Sequence, residues 1–265
     1  MKKIILSAAV ASSLAMAADV DTTKESALVT HTEFGYIQTD GNTETRTFNL
    51  ESKVTKNWQK HVFGFIFDGQ YADDSGVETK NKYFWELEYD YEFTDRFAFD
   101  YLIGYKSDKF SSFDYQLYTG PGAKYKVIVS EKHNLNVEGN ILYSVDKISA
   151  VYYSDLAKTT PIEYPNSTAG YLAKDDAIND SYGSYRLKGV YTWQMLENLK
   201  FEQEASYRSS FEDADKYFVF SKTALSSKIN SIFSAGISYK IDYVNEAGDK
   251  EKKDTTLTAN LIIDY

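Results

Sequence analysis

The chain has 265 residues, a formal charge of −10, no cysteine and 16% aromatic residues, with 23 Tyr and 16 Phe against three Pro. The acidic balance argues against nucleic acid as a partner, and the missing cysteine excludes a disulfide or a lipoprotein anchor. So many rings at negative mean hydropathy do not suit a soluble core, where aliphatics dominate. They suit strands with one lipid-facing side, interfacial girdles of Tyr and Phe, and a polar opposite side.

Met1-Lys2-Lys3, the apolar run from Ile4 to Leu14 and the small-x-small triplet Ala15-Met16-Ala17 read as an export signal cut after Ala17. The run is shorter than the roughly 20 residues of a spanning helix. Residues 18–265 are then expected to form a single β-barrel domain.

Alternation of period two predicts about twelve strands, near 28–39, 44–57, 61–72, 80–93, 96–107, 113–128, 133–146, 182–194, 199–211, 216–226, 231–244 and 255–265. The fourth segment is the clearest: Tyr83, Trp85, Leu87, Tyr89 and Tyr91 alternate with Phe84, Glu86, Glu88 and Asp90. Phe97, Phe99, Tyr101, Ile103 and Tyr105 repeat the pattern in the fifth, and Phe233 to Ile241 in the eleventh. A soluble sandwich would also give one apolar face per strand, so the connections must discriminate. Even-numbered strands end in tight turns such as Trp58-Gln59-Lys60 and Thr94-Asp95. Odd-numbered strands mostly lead into longer polar segments: Ala72 to Thr79, Lys106 to Ser112, Lys147 to Ser181, Glu212 to Asp215 and Asn245 to Asp254. Short turns at one end and longer loops at the other define the topology of bacterial outer-membrane barrels. The expected fold is therefore an all-β, antiparallel transmembrane barrel in the bacterial outer membrane.

The lipid face supplies a second test. Outside the tenth strand, the outward positions hold no Asp or Glu, and Arg46 and Lys56 fall at strand ends where long cations can snorkel. Two places resist: Gln203 falls outward in the ninth strand, and Phe218 and Phe220 against Tyr217 and Val219 leave the tenth without a phase. Gly120-Pro121-Gly122 inside the sixth strand predicts a bulge, because proline cannot donate to the ladder. Gly41-Asn42 predicts a tight hairpin needing positive φ. The 147–181 insertion carries Val151-Tyr152-Tyr153, Ile162, Tyr164 and Tyr171. It is too aromatic for a plain solvated loop, and an inward plug and an outer cap both fit. Thr255 to Tyr265 puts Leu257, Ala259, Leu261, Ile263 and Tyr265 on one face and ends on a ring. That predicts the closing strand, with Leu257, Leu261, Ile263 and Tyr265 as the signal read by the barrel-assembly machinery.

Residues Thr32 to Tyr143 resemble a known family. Phe34-Gly35-Tyr36 followed by Thr39-Asp40-Gly41-Asn42-Thr43-Glu44-Thr45 is similar to the opening of the domain-of-unknown-function 481 family. Tyr89-Asp90-Tyr91, Thr94-Asp95-Arg96 and Gly104-Tyr105-Lys106-Ser107-Asp108-Lys109-Phe110 resemble its middle, and Asp114-Tyr115-Gln116 with Gly120-Pro121-Gly122 the next segment. The resemblance implies an outer-membrane barrel of a family described as salt-induced, and brings no catalytic residues. The sequence after Lys147 departs from the pattern, chiefly through the insertion.

Chemistry finds little support. His31, His61 and His133 lack a distinctive serine motif that would complete a nucleophilic arrangement, and no cysteine or histidine pair has metal-ligand spacing. Asp73-Asp74, Asp175-Asp176 and Asn179-Asp180 could meet divalent cations at the lipopolysaccharide surface, but acidic loops are mostly just solvated. No cofactor and no enzymatic activity are expected. The inward faces are more informative. Asp68, Glu86, Glu88, Asp90 and Asp100 make strands three to five almost purely acidic, while Lys124, Lys126, Arg186 and Lys188 form a basic strip on strands six and eight. In a water-filled bore these rows would filter solutes by charge; in a narrow bore they would pair and close it. The leading expectation is a narrow, weakly cation-favouring, porin-like channel for small solutes or ions. The alternatives are a non-conducting structural or envelope-stress barrel and, more distantly, a lipid-modifying enzyme. Expected partners are outer-membrane lipids and lipopolysaccharide, the assembly machinery, and small solutes or ions.

Overall fold

The alternating segments form twelve strands in a computed structural model that describes residues 28–39, 44–148, 179–247 and 250–265. They are β1 (Leu28–Thr39), β2 (Thr45–Trp58), β3 (His61–Asp74), β4 (Val77–Glu92), β5 (Phe97–Asp108), β6 (Phe113–Val129), β7 (His133–Ile148), β8 (Asn179–Leu196), β9 (Leu199–Ser210), β10 (Tyr217–Lys228), β11 (Phe233–Val244) and β12 (Lys253–Asp264). Every strand pairs antiparallel with its chain neighbours, and β1 closes on β12. The closure runs from reciprocal main-chain hydrogen bonds between Thr30 and Tyr265 (2.6 and 3.0 Å) to the Phe34–Leu261 pair. The export signal, the Gly41-Asn42 turn, Asp175-Asp176 and residues 149–178 of the insertion lie outside the described residues.

One face of each strand is apolar and exposed. Phe65, Leu87 and Ile103 are register partners across β3, β4 and β5, and all three are exposed on the outer wall. Two belts of rings flank such rows. At the outer end Tyr83 and Trp85 stack on Tyr105, which stacks on Tyr115, and Tyr207, Tyr217 and Tyr243 form another stack. At the opposite end His61 packs on Trp58, Tyr89 and Tyr91, and His133 on Tyr191 and Trp193. A sealed cylinder satisfies every strand edge, and an apolar band between aromatic girdles is what a bilayer requires of it.

Three local expectations change. The β3–β4 connection is a two-residue turn, with Ser75 and Gly76 both at positive φ (52° and 79°). Asp73 and Asp74 belong to β3, which runs on as polar strand beyond the outer girdle, so their polarity marks solvent and not a long loop. The Gly120-Pro121-Gly122 bulge is absent: β5 register runs unbroken from Asp100–Gly122 to Leu102–Gly120, and the β6–β7 shifts fall elsewhere, at Phe113/Tyr115 and Lys126/Ile128. The glycines instead let the two backbones close together. A Cβ on Gly120 would lie 2.1 Å from the Ile141 carbonyl oxygen, so no other residue fits. Third, β10 acquires a phase. Its Lys222 is buried inside, while Thr223 and Ser221 face outward and hydrogen-bond Gln203 at 2.6 and 3.0 Å. The polar outward residues thus satisfy one another, as a lipid-facing wall demands.

Candidate functional site

The inward face is mostly polar, because each apolar outward residue alternates with an inward one, with a small apolar cluster of Leu102, Tyr118, Leu142 and Phe84 among the charges. The buried side chains include Glu33, Lys82, Glu86, Asp100, Glu138, Asp146, Arg186, Arg208, Lys222 and Lys240, against few apolar ones such as Leu102 and Leu142. These charges meet inside the cylinder.

The largest cluster joins β4 and β5 to β6, β7, β8 and β9. Lys124 reaches Glu88 and Asp90 (both 2.9 Å), Asp100 (3.1 Å) and Glu138 (3.6 Å). Asp90 and Asp100 stand directly opposite each other on neighbouring strands, a repulsive arrangement that Lys124 bridges. Arg186 pairs across the bore with Glu86 at 2.6 Å and also with Glu138 on the neighbouring β7, while Lys188 lies 3.5–3.8 Å from Glu86 and Glu88 on β4 and from Glu204 on the neighbouring β9. The Tyr118 hydroxyl donates to Glu86 (3.1 Å), and Asn140 donates to Asp100. Six carboxylates therefore share three bases. Lys126 pairs with Glu92 (2.8 Å) below them.

A second cluster ties β1, β2 and β3 to β10 and β11. Lys222 holds Glu33 (2.8 Å) and Glu51 (2.7 Å), and Lys240 holds Glu51 (2.6 Å) and Asp68. Asn260 of β12 donates to Glu33 at 2.5 Å. Toward the outer end Lys82 and Lys106, from β4 and β5, both pair with Asp242 of β11 at 2.8 Å, and Lys82 also meets Asp254 at 2.9 Å. Two cavities left around these groups, one beside Glu33 and Asn260 and one beside Asn49 and Lys240, offer about 10 Å³ each, room for roughly one water.

At the outer mouth the β11–β12 connection leans inward. Ser112 donates to the Ala247 carbonyl (2.6 Å), Ala247 is buried, and Phe113 meets Phe218 edge to face. Burial, with Asp213 next, pushes the Glu246 carboxyl on this connection above its usual value. Below it, Arg208 lies between the rings of Tyr118 (4.8 Å) and Phe218 (4.2 Å) and donates to Ser144 (3.0 Å) and the Tyr182 hydroxyl (3.2 Å).

The residues singled out in the sequence thus fall into contact: Glu86, Glu88, Asp90, Asp100, Lys124, Arg186 and Lys188 in one cluster, Lys126 beside it, and Asp68 in the second. The acidic wall is less pure than its sequence suggests, since Lys82 and Lys106 bring bases into its outer end. Lys222, Arg208, Glu138 and Asn140 complete the networks but were not singled out. Once Gln203 is matched to Thr223, parity assigns Lys222 to the interior; nothing in the linear sequence marks Arg208. Leu257, Leu261 and Tyr265 are exposed on the outer wall of β12 and just beyond it. Asp73 meets Arg46 at 3.4 Å, and Asp180 meets Lys216. The histidines occupy wall positions: His31 contacts Glu33 (3.2 Å) and Asp264 (2.5 Å), and His61 and His133 bond Tyr89 and Tyr191 (both 2.8 Å). Among the described residues no group of three or more His, Cys, Asp or Glu is arranged to hold a metal.

A closed antiparallel barrel with an apolar, girdled exterior and a charged interior is an outer-membrane β-barrel, and the bacterial outer membrane is where it resides. The chain belongs to the family described as "Protein of unknown function, DUF481", whose model matches residues 32–265. No curated protein matches it. Among solved structures it is similar to an outer membrane channel from Pseudomonas putida F1 (TM-score 0.49, 7% identity, 93% of this chain and 100% of that one). It is also similar to the NanC porin (0.44, 13%, 90% and 98%) and to the translocator domain of the autotransporter NalP from Neisseria meningitidis (0.45, 10%, 93% and 90%).

Proposed function

We propose that the barrel is a narrow passage for small ions or solutes that weakly favours cations, its width set by the ion pairs that cross the bore. The observation that supports this reading is the excess of carboxylates in the central cluster, where Glu86, Glu88, Asp90, Asp100, Glu138 and Glu204 share Lys124, Arg186 and Lys188. A surplus of fixed negative charge in a low-dielectric constriction raises the local concentration of cations. Refolded protein in planar bilayers is expected to give small discrete current steps. Their cation preference should fall when Glu88→Gln and Asp90→Asn are combined. A silent bilayer, with liposomes impermeable to small salts and sugars, would refute the passage. It would favour a second reading, a non-conducting structural barrel, which the cross-bore pairs Arg186–Glu86 and Lys106–Asp242 recommend.

The histidines, engaged with girdle tyrosines or with Glu33 and Asp264, suit a non-catalytic barrel; turnover of labelled phospholipid by the pure protein would refute that. We read Leu257, Leu261, Ile263 and Tyr265 as the surface the assembly machinery recognises, with lipopolysaccharide around the outer rim. Deleting Tyr265 is then expected to deplete folded barrel in outer-membrane fractions while leaving refolding in vitro intact; unchanged levels in the membrane would refute it.

A further inference from the structure

Among the described residues, each buried base of the interior has a carboxylate within 4 Å except one. Lys82, Arg186, Lys216, Lys222 and Lys240 all carry ion pairs. Arg208, 7% exposed and two residues from the outer end of β9, has none among the described residues. Its hydrogen bonds go to two neutral hydroxyls, Ser144 and Tyr182, and both leave from Nη1. The nearest acid in that chain of bonds is Asp146, which accepts from Tyr182 at 2.7 Å and is already engaged by Gln116 (3.1 Å) and Lys216 (3.5 Å).

A buried guanidinium without an anion is costly, and the flanking rings offset only part of that through cation–π attraction. Its planar fork matches a carboxylate bidentately, and with Nη1 occupied, Nε and Nη2 have no partner among the described residues and can bind one. Tyr118 and Phe218 supply flat apolar faces on either side, and Phe113 extends that surface toward the mouth.

We propose that Arg208, framed by Tyr118 and Phe218, is a binding site for the carboxylate of a small ring-bearing organic acid entering from the outer side. This deepens the passage reading by assigning a solute class; small-ion preference and capture of an organic anion at a single base are separate properties. One buried guanidinium neutralises a monoanionic carboxylate, whereas a dianionic phosphate would keep a second, desolvated charge without a partner there.

Binding is tested in detergent, where conduction plays no part, by calorimetric titration of the folded barrel with glucuronate, glucose and glucose 6-phosphate. Glucuronate should bind, glucose should bind about ten- to a hundredfold more weakly, as the loss of a charge-assisted hydrogen bond implies, and the phosphate should also bind less tightly. Arg208→Gln should remove the preference for glucuronate, and Phe218→Ala should weaken its binding while keeping the preference. Arg208→Gln should also leave the thermal midpoint unchanged or raised, since Ser144 keeps Ser184 and Tyr182 keeps Asp146. Equal binding of glucuronate and glucose, no binding of either, tighter binding of the phosphate, or unchanged binding by Arg208→Gln would overturn the proposal. So would loss of the folded barrel in Arg208→Gln, because a structural role would then account for the residue. A silent bilayer would refute the passage and leave this binding result standing.

Discussion

Replacing Arg186 with methionine is expected to cost the folded barrel about 3–5 kcal/mol, read from urea unfolding in lipid vesicles. The change strips the closest base from Glu86 and Glu138, both buried, leaving Lys188 at 3.8 Å and Lys124 at 3.6 Å, and removes the donor to Asn140 (3.3 Å) that helps orient it toward Asp100. Lys188, 3.8 Å from Glu86, cannot replace a 2.6 Å guanidinium contact without leaving Glu204. The sign follows from taking the nearest base away from buried carboxylates, and the cost shrinks when the pair is removed together. Arg186→Met combined with Glu86→Gln is therefore expected to recover part of the loss, with a coupling of about 0.5–3 kcal/mol. Wild-type stability in the single variant would mean that these side chains are solvated and that the cluster does not close the bore. In bilayers the double variant should also conduct more than wild type, because it removes a 2.6 Å link from β8 to β4 across the lumen.

On the opposite side of the same strand, Leu87→Arg is expected to cost about 2–4 kcal/mol in the same assay. Leu87 is exposed between Phe65 and Ile103, midway between Trp85 of the outer girdle and Tyr89 of the inner one. A cation there has no acid beside it on the outer wall and must drag water into hydrocarbon or deform the bilayer. An exposed leucine on a water-facing sheet would tolerate the change within about 0.5 kcal/mol, so that result would place the odd face of β4 in solvent. Glu88, one residue on and turned inward, should accept glutamine with little effect on insertion, because its contacts are with Lys124 and Lys188.

Barrel architecture is legible in the sequence because two independent periodicities agree: side chains alternate along each strand, and connections alternate in length between strands. Strands β1 to β12 fall within three residues of the positions that alternation suggests. Legibility fails where a residue's role depends on partners distant in sequence. Ser75-Gly76 hid as a loop because polar strand ends above a membrane have the composition of loops. Phe218 and Phe220 obscured β10 because its inward rings do not serve the lipid wall; Phe218 covers Arg208. That Glu86 and Arg186 share one side of the lumen could be anticipated from strand order, since β4 and β8 lie four strands apart in a twelve-stranded ring. That the two touch could not, because contact depends on how far the long side chains reach across the bore. Arg208 is still less visible: what distinguishes it is the absence, among the described residues, of an acid paired with it in three dimensions.

The whole account rests on which face of each strand meets hydrocarbon, and the chain's lack of cysteine permits a direct measurement. Single cysteines from Tyr83 to Tyr91, spin-labelled after refolding into lipid vesicles, report collision with oxygen, which concentrates in the bilayer interior. The account predicts a period of two with maxima at Tyr83, Trp85, Leu87, Tyr89 and Tyr91 and minima at Phe84, Glu86, Glu88 and Asp90. Maxima at the even positions, or a profile with no period, would contradict it.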